Sequence, residues 1–251
     1  MNRTTLGILG GLGPMSGVYF CELLVEHTKA DGDHGHINFL LSSRADTPDR
    51  TEYILGHSSR NPVPVMIEEV QKLTAAGADL IAIPCNTAHY FYESIAASSS
   101  VPVLNIIEQT VEFCRANGMS KIGVLATEGT VRSGAYEQEC RRAGVGYMTC
   151  TEDEQAVISQ MIYEQIKRGR APDLDAFQSI CKNMQARGCE AIILGCTELS
   201  LLKKMTDPDP LWIDSLEVLA VSAIRACGKE PIGFDKALMN FMPTKGKNPC
   251  Y

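Results

Sequence analysis

Residues 6–23 read LGILGGLGPMSGVYFCEL, and residues 122–139 read IGVLATEGTVRSGAYEQE. Each stretch combines a short apolar run, a loop of small residues and a helical pattern. A second pair of similar stretches follows at nearly equal separations, with IAIPCNTAH at 81–89 and IILGCTELS at 192–200. Two matches in the same order predict two similar halves, the product of a duplication at the scale of a fold.

Apolar runs and helical patterns alternate along most of the chain. The runs are short, rich in β-branched residues and apolar on both faces, which is typical of buried parallel strands. Strands that alternate with helices form right-handed βαβ units, in which helices cover both faces of a parallel sheet. We therefore predict an α/β fold with two pseudo-symmetric three-layer domains. The predicted strands lie at 6–9, 37–41, 79–83, 101–104, 121–126, 145–149 and 191–194.

Proline and glycine mark where the predicted helices begin and end. A helix over 64–76 begins with a proline in its first turn and stops before Gly77. Other glycines follow helical patterns in the C′ position, namely Gly118, Gly144, Gly169, Gly188 and Gly228.

The predicted domain boundaries follow from the two repeated halves. The first half comprises residues 1–108 and a helix that returns to it at 215–234, and the second comprises 109–214. Residues 235–251 contain proline and Lys-Gly-Lys without periodicity, so we predict a flexible tail there.

Composition excludes several classes of protein. The 251 residues are 45% hydrophobic and 21% charged, and the net charge of −7 argues against binding to nucleic acid or to an anionic membrane. No apolar run approaches the roughly 18–20 residues that span a bilayer, and the N-terminal residues do not resemble a signal peptide. A cytoplasmic location fits these observations. Ten cysteines without any CxxC pair do not indicate a zinc site or a disulfide framework.

The glycine-rich start does not match a dinucleotide-binding motif. The pattern GxGxxG, begun at Gly11, requires glycine where Ser16 stands, and Pro14 removes an N–H group where the helix begins. Ligands of open α/β sheets bind at the carboxyl ends of strands. We therefore predict that this loop, with Gly11 and Leu12, lines a substrate site.

Two cysteines follow strands in equivalent places of the two halves. Cys85 precedes Asn86 and Thr87, and Cys196 precedes Thr197. Thiols that approach one cleft from opposite sides can remove a proton from one face of a carbon and return it to the other face. A thiol pKa near 8.5 allows thiol and thiolate to coexist, and a helix N-terminus after each cysteine would favour the thiolate. The polar neighbours and their backbone N–H groups are candidates for holding a substrate carboxylate.

Seven segments spread over about residues 5–228 resemble the aspartate/glutamate racemase superfamily, and most closely its cofactor-independent aspartate racemases. They are GILGGLGP (7–14), PDRTEYILG (48–56), GADLIAIPCNTAH (77–89), LATEGTVRSGAYE (125–137), TEDEQ (151–155), IYEQIKRG (162–169) and GCTELS (195–200).

The resemblance implies specific roles for four residues. It implies that Cys85 and Cys196 are the catalytic acid/base pair and that Arg50 and Lys167 hold the substrate. It further implies a site in the cleft between two α/β domains, a homodimer, and activity without pyridoxal phosphate or metal.

Further residues complete the predicted site. An arginine fork and a lysine form a suitable clamp for the second carboxylate of an acidic amino acid, which supports Arg50 and Lys167. Thr127 is a further candidate for substrate binding, and Glu198 is a candidate for tuning Cys196 or contacting the substrate ammonium. Arg44 is an additional cation that could alter substrate preference.

His89 and several related activities are the alternatives. His89 could share a helical face with Cys85, but further metal ligands are missing, so a structural role is favoured. A racemase that prefers glutamate or is broad in specificity stays open, as do a maleate-type cis–trans isomerase and a non-catalytic amino-acid-binding protein. Two cysteines argue against a malonate-type decarboxylase, whose relatives use one thiol.

Overall fold

Two parallel four-stranded sheets organise the molecule, for which a computed structural model describes residues 4–206 and 208–244. The first sheet has the order β2-β1-β3-β4 and the second has the order β6-β5-β7-β8. The two sheets therefore share one topology, which confirms the predicted pair of similar α/β halves. The strands are β1 (Thr5–Gly10), β2 (Asn38–Ser43), β3 (Leu80–Ala82), β4 (Val103–Leu104), β5 (Lys121–Leu125), β6 (Gly146–Thr149), β7 (Ala191–Leu194) and β8 (Trp212–Asp214).

The strand register is the same in the two sheets. Gly7 of β1 pairs with Ile81 of β3, and Gly123 of β5 pairs with Ile192 of β7. All seven predicted strands are present, with bounds that shift by no more than a few residues. The sequence analysis missed β8, whose three residues are too short to show a period.

Helices cover both sheets, and local sequence explains several of their ends. A proline lies in the first turn of α3, and all the glycines predicted at C′ positions have positive φ. The helices are α1 (Pro14–Glu26), α2 (Arg50–Ile54), α3 (Val63–Ala75), α4 (Tyr92–Ser98), α5 (Ile106–Ala116), α6 (Glu128–Arg132), α7 (Ala135–Ala143), α8 (Glu152–Gln160), α9 (Leu174–Ala186), α10 (Thr197–Lys204), α11 (Ser215–Ala226) and α12 (Lys236–Asn240).

Side chains cap the helices that follow β4, β5 and β8. Asn105 accepts hydrogen bonds from the N–H groups of the first turn of α5, and Asp214 does the same for α11. Thr127 caps α6, which brings this threonine to the end of β5. Caps of this kind satisfy N–H groups that have no partner inside the helix.

The largest hydrophobic cluster contains residues of both halves. Leu6 and Ile8 of β1 belong to it, together with Ile122 of β5 and Ile193 of β7. Helix α11 contacts α1 and β4, and it also packs against α5. Because one core crosses the predicted boundaries at 108 and 214, those boundaries stay a prediction.

Residues 235–244 differ from the flexible tail that the sequence analysis predicted. They include α12, and the Phe241 ring lies edge-on to Phe113 with ring centres 5.4 Å apart. The Nε2 group of Gln109 donates a hydrogen bond of 2.7 Å to the hydroxyl of Thr244. A few apolar side chains thus anchor a segment whose composition shows no periodicity. Residues 245–251 lie outside the described part of the chain.

Within residues 4–206 and 208–244, no helix combines the length and the apolar character that crossing a membrane requires.

Candidate active site

The loops after β1, β2, β3, β5 and β7 converge on a small cavity, here called the inner cavity. Its volume is about 10 Å³, which leaves room for about one water molecule. An amino acid is much larger, so a substrate requires the cavity to open. Its lining residues are Leu12, Asp49, Arg50, Thr51, Cys85, Asn86, Thr87, Thr127, Tyr163, Lys167, Cys196, Thr197 and Glu198.

A second depression, here called the outer cavity, adjoins the inner one. Its volume is about 500 Å³, and it shares Asp49, Arg50, Lys167 and Glu198 with the inner cavity. Gly11, the remaining residue predicted at the site, lines the outer cavity rather than the inner one. The structure therefore brings every predicted site residue to one of two cavities that share part of their lining.

Cys85 is buried on the turn after β3, and His89 holds that turn. The His89 Nε2 atom accepts a hydrogen bond from the N–H of Ile106 at 3.2 Å, so the proton must lie on Nδ1. Nδ1 donates it to the backbone carbonyl of Cys85 at 2.8 Å. Burial lowers the pKa of His89 to about 4. Both ring nitrogens are engaged with backbone groups, which supports a structural role for His89.

The described part of the chain, 4–206 and 208–244, contains no group of three or more His, Cys, Asp or Glu side chains suited to a metal ion.

Asn86 connects the two halves. Its Oδ1 atom accepts a hydrogen bond of 2.7 Å from the hydroxyl of Tyr136, and its Nδ2 group donates to Ser215 at 3.0 Å. The hydroxyl of Ser215 in turn donates to the carbonyl of Leu194, at the end of β7. The Asn86 side chain therefore holds both strand ends in place and keeps only one N–H for a substrate.

Three buried threonine hydroxyls form a triangle beside the cavity. Thr87 lies 3.0 Å from Thr127 and 2.8 Å from Thr130, and the last two lie 3.0 Å apart, measured between hydroxyl oxygens. The triangle joins the turn after Cys85 to the first turn of α6. Each hydroxyl has one proton, so a substrate oxygen near Thr87 or Thr127 can be bound when one hydroxyl rotates.

Cys196 is buried and donates its thiol hydrogen to a carboxylate. Its Sγ atom lies 2.9 Å from Oε2 of Glu198, and the Lys167 ammonium lies 3.8 Å from the other carboxylate oxygen. Burial and the negative charge of Glu198 raise the pKa of Cys196 well above its ordinary value, although Lys167 acts in the opposite direction. The N-terminus of α10 was predicted to favour the thiolate. Burial and Glu198 outweigh it, so the resting group is a thiol.

Arg50 is a buried cation without an ion-pair partner in the part of the chain that the structure describes. Its side chain is 7% exposed and donates to the carbonyls of Leu12 and Pro48, and its Nε has no hydrogen-bond partner. A buried charge is costly unless it is paired, so this guanidinium is suited to a bound anion. Arg44, by contrast, pairs with Glu68 and Glu69 and does not line the inner cavity.

Sequence reasoning missed four residues at the site. Tyr163 lies on a π-helical turn, Met161–Gln165, and its ring centre is 4.5 Å from the ammonium of Lys167. Asp49, which caps α2, and Thr51 line the inner cavity, and Thr130 completes the threonine triangle. Asp49 and Thr51 flank Arg50 in the PDRT segment, which is the one signal that could have identified them.

The two repeated α/β halves share one topology, and each half contributes a buried cysteine to the lining of the same cavity. The model of the Asp/Glu/Hydantoin racemase family matches residues 9–223, and the chain belongs to this family.

Among curated relatives, the broad specificity amino-acid racemase RacX of Bacillus subtilis is 28% identical over 224 residues, which cover 87% of this chain and 96% of that protein. The glutamate racemase of Aquifex aeolicus is 28% identical over 187 residues, which cover 69% of this chain and 71% of that protein. Among solved structures, the aspartate racemase of Picrophilus torridus superposes with a TM-score of 0.78. It is 26% identical and covers 91% of this chain and 96% of its own.

Proposed function

We propose that this chain interconverts L- and D-aspartate by two-base proton transfer at Cα, with Cys85 and Cys196 as the acid/base pair. The observation that carries the proposal is the inner cavity, where both cysteines line the same space as a buried arginine that lacks an anionic partner among residues 4–206 and 208–244. In the proposed reaction, one cysteine thiolate removes the Cα proton, and the thiol of the other cysteine donates a proton to the opposite face.

Cys196 is suited to act as the acid because it carries its thiol proton. Since its raised pKa keeps it a thiol near neutral pH, Cys196 donates in the first half-reaction of the resting enzyme and Cys85 accepts. The hydroxyls of Thr87 and Thr127 and the backbone N–H of Thr197 line the cavity as donors for the α-carboxylate. Donors that are already in place stabilise the negative charge that develops on this group as the proton leaves.

Arg50 and Lys167 are the proposed clamp for the side-chain carboxylate. Lys167 is held between Glu198 and the ring of Tyr163, so its ammonium faces the same cavity as Arg50. The similarity to an aspartate racemase supports aspartate as the substrate. Glutamate remains the second candidate, because one methylene changes binding by only about 1–3 kcal/mol.

The test is proton NMR of L-aspartate, and separately of L-glutamate, in D₂O with reduced enzyme and no added cofactor. Wild type is compared with Cys85→Ser and Cys196→Ser. We expect loss of the Cα–H signal together with formation of the D-enantiomer in wild type, and neither in the two variants. The amino acid with the higher rate is the preferred substrate. Absence of exchange with both amino acids would favour a maleate-type isomerase or a binding protein.

Arg50→Lys tests the clamp. We expect KM for the acidic amino acid to rise about tenfold or more, because lysine cannot reproduce the planar fork of donors. Thermal unfolding of the same variant serves as the control, since Arg50 also holds the carbonyls of Leu12 and Pro48. An unchanged KM in a folded variant would remove Arg50 from the clamp.

A further inference from the structure

Glu198 lies between the buried thiol of Cys196 and the outer cavity. One of its carboxylate oxygens accepts the thiol hydrogen at 2.9 Å, and the other lies 3.8 Å from the ammonium of Lys167. Glu198 lines the inner cavity and the outer cavity, whereas Cys196 lines only the inner one. The carboxylate is thus the group through which Cys196 faces the larger, more open space.

The loop before α1 leaves room for this carboxylate. A Cβ atom at Gly13 would lie 2.6 Å from Oε1 of Glu198, so any side chain there would displace the carboxylate from this position. Gly13 is the N-cap of α1, whose first turn has no acidic residue and no side-chain cap. A helix N-terminus attracts negative charge, and here it receives the carboxylate of Glu198 from the other half of the molecule.

The two cysteines differ in the residue that stands two positions after each of them. Glu198 is the second residue after Cys196, and the second residue after Cys85 is Thr87, which donates or accepts within the threonine triangle. Of these two equivalent positions, only the one after Cys196 therefore holds a carboxylate, which is a group that can take a full proton.

Two-base transfer creates a need for such a group. Each conversion of L to D takes a proton onto one cysteine and removes one from the other, so the enzyme ends with its two protonation states exchanged. Before the enzyme can act on the same enantiomer again, both cysteines must return to their starting protonation states, so Cys196 must exchange its proton with water. Cys196 and Cys85 are 5% and 6% exposed, so both have little direct contact with water, and Cys196 is the one whose sulfur donates a hydrogen bond to a carboxylate.

We propose that Glu198 is a catalytic proton relay, which exchanges the proton of Cys196 with water in the outer cavity between turnovers. In one direction the proton passes from Sγ to Oε2, which leaves a thiolate and a carboxylic acid, and the acid then gives the proton to water. In the other direction water protonates the carboxylate, and the acid protonates the thiolate. This inference rests on the two-base reaction proposed above.

Glu198→Gln separates the relay from the proton transfer at Cα, because glutamine can accept the thiol hydrogen bond but cannot carry the proton. Two rates are measured with the amino acid that wild type racemises. The first is net conversion of the pure L-enantiomer at saturating concentration, for which each turnover requires the relay. The second is the conversion of carbon-14-labelled L into labelled D within a racemic mixture, where the D-enantiomer itself returns the enzyme to its starting form.

We expect net conversion by Glu198→Gln to fall about tenfold or more, while label exchange stays within about threefold of wild type. In Glu198→Ala, added formate should restore net conversion, since a small acid can enter the space that the side chain leaves. Glu164→Gln removes a nearby exposed carboxylate, which pairs with Arg168, and should alter neither rate.

Equal loss of both rates would show that Glu198 only positions Cys196, and unchanged rates would show that the proton takes another route. Either result overturns the relay and leaves the proposed function intact. Failure of wild type itself to form labelled D would overturn the proposed function, and the relay with it.

Discussion

At the scale of single residues, the site is built from side chains whose partners decide their roles. His89 stands four residues after Cys85, and its ring spans two backbone groups in the interior. Asn86 and Ser215 likewise use their polar atoms to hold strand ends together. Arg50 is the contrasting case, because it is buried without a carboxylate partner in the part of the chain that the structure describes.

His89 is predicted to make the stability of the protein sensitive to acid. Its folded pKa of about 4 lies below its unfolded value of 6.5, so its contribution is complete above pH 6.5 and is lost as the pH falls towards 4. Between pH 7.5 and 5.0 wild type should lose about 2 kcal/mol that His89→Gln does not lose. At pH 7.5 the variant should itself be less stable by about 1–3 kcal/mol, because a buried bond is broken.

Urea unfolding at the two pH values measures both effects. An equal loss of unfolding free energy in wild type and variant would show that His89 does not titrate as a buried neutral group.

At the scale of elements, short loops between strands and helices determine which side chains meet. The β1–α1 loop approaches the α10 helix so closely that Glu198 occupies the space a side chain at position 13 would need. The π-helical turn and the short 3-10 helix Ile166–Arg168 that follows it bring Tyr163 and Lys167 to the cavity. Single π turns inside helices are rare and are frequently found at functional sites.

Gly13→Ala tests the loop, with Gly32→Ala as its matched control. The two glycines have similar φ, 148° and 150°, so each substitution should cost about 1–3 kcal/mol of backbone strain. Nothing lies within 4 Å of a Cβ at Gly32, whereas one at Gly13 would displace the carboxylate of Glu198. We expect kcat/KM of Gly13→Ala to fall at least about tenfold below that of Gly32→Ala. Equal activities at matched stability would contradict this arrangement.

At the scale of the whole molecule, the site depends on how the two halves are held against each other. One hydrophobic cluster runs through both, and α2 of the first half packs on α6 of the second. At that contact a Cβ at Gly129 would lie 2.7 Å from the hydroxyl oxygen of Thr51 and 2.8 Å from its Cα atom. The inner cavity and the threonine triangle lie beside this contact.

Gly129→Ala should therefore force the halves apart at the site. We expect a loss of about 1–3 kcal/mol of stability from overpacking and a fall of about tenfold in kcat/KM, since the triangle is disturbed. Gly17→Ala is the control, because it is also a buried helical glycine but its nearest contact to a new Cβ would be 3.6 Å away. Chemical denaturation and steady-state kinetics report the two effects. A Gly129→Ala variant that behaves like Gly17→Ala would show that α2 and α6 adjust without consequence.

The sequence by itself determined the fold class, seven of the strands, the repeated halves and most of the residues that gather at the site. Alternation of apolar runs with helical patterns is a local property of the chain. Duplication places the same residue types at equivalent strand ends, so both features can be recognised in the sequence. The sequence analysis missed the strand β8 because three residues show no period. It missed α12 because the contacts that anchor this helix come from distant residues such as Phe113.

Only the tertiary structure decided what each group at the site does. The tautomer of His89, the raised pKa of Cys196 and the lack of a carboxylate partner for Arg50 in the described part of the chain all depend on burial and on which groups packing brings close. The threonine triangle, too, joins Thr87 to residues about forty positions away. A sequence gives the identity of the ionisable and polar groups. Their electrostatic energies depend on the distances between them and on the dielectric surroundings, and both are set only when the two halves pack together.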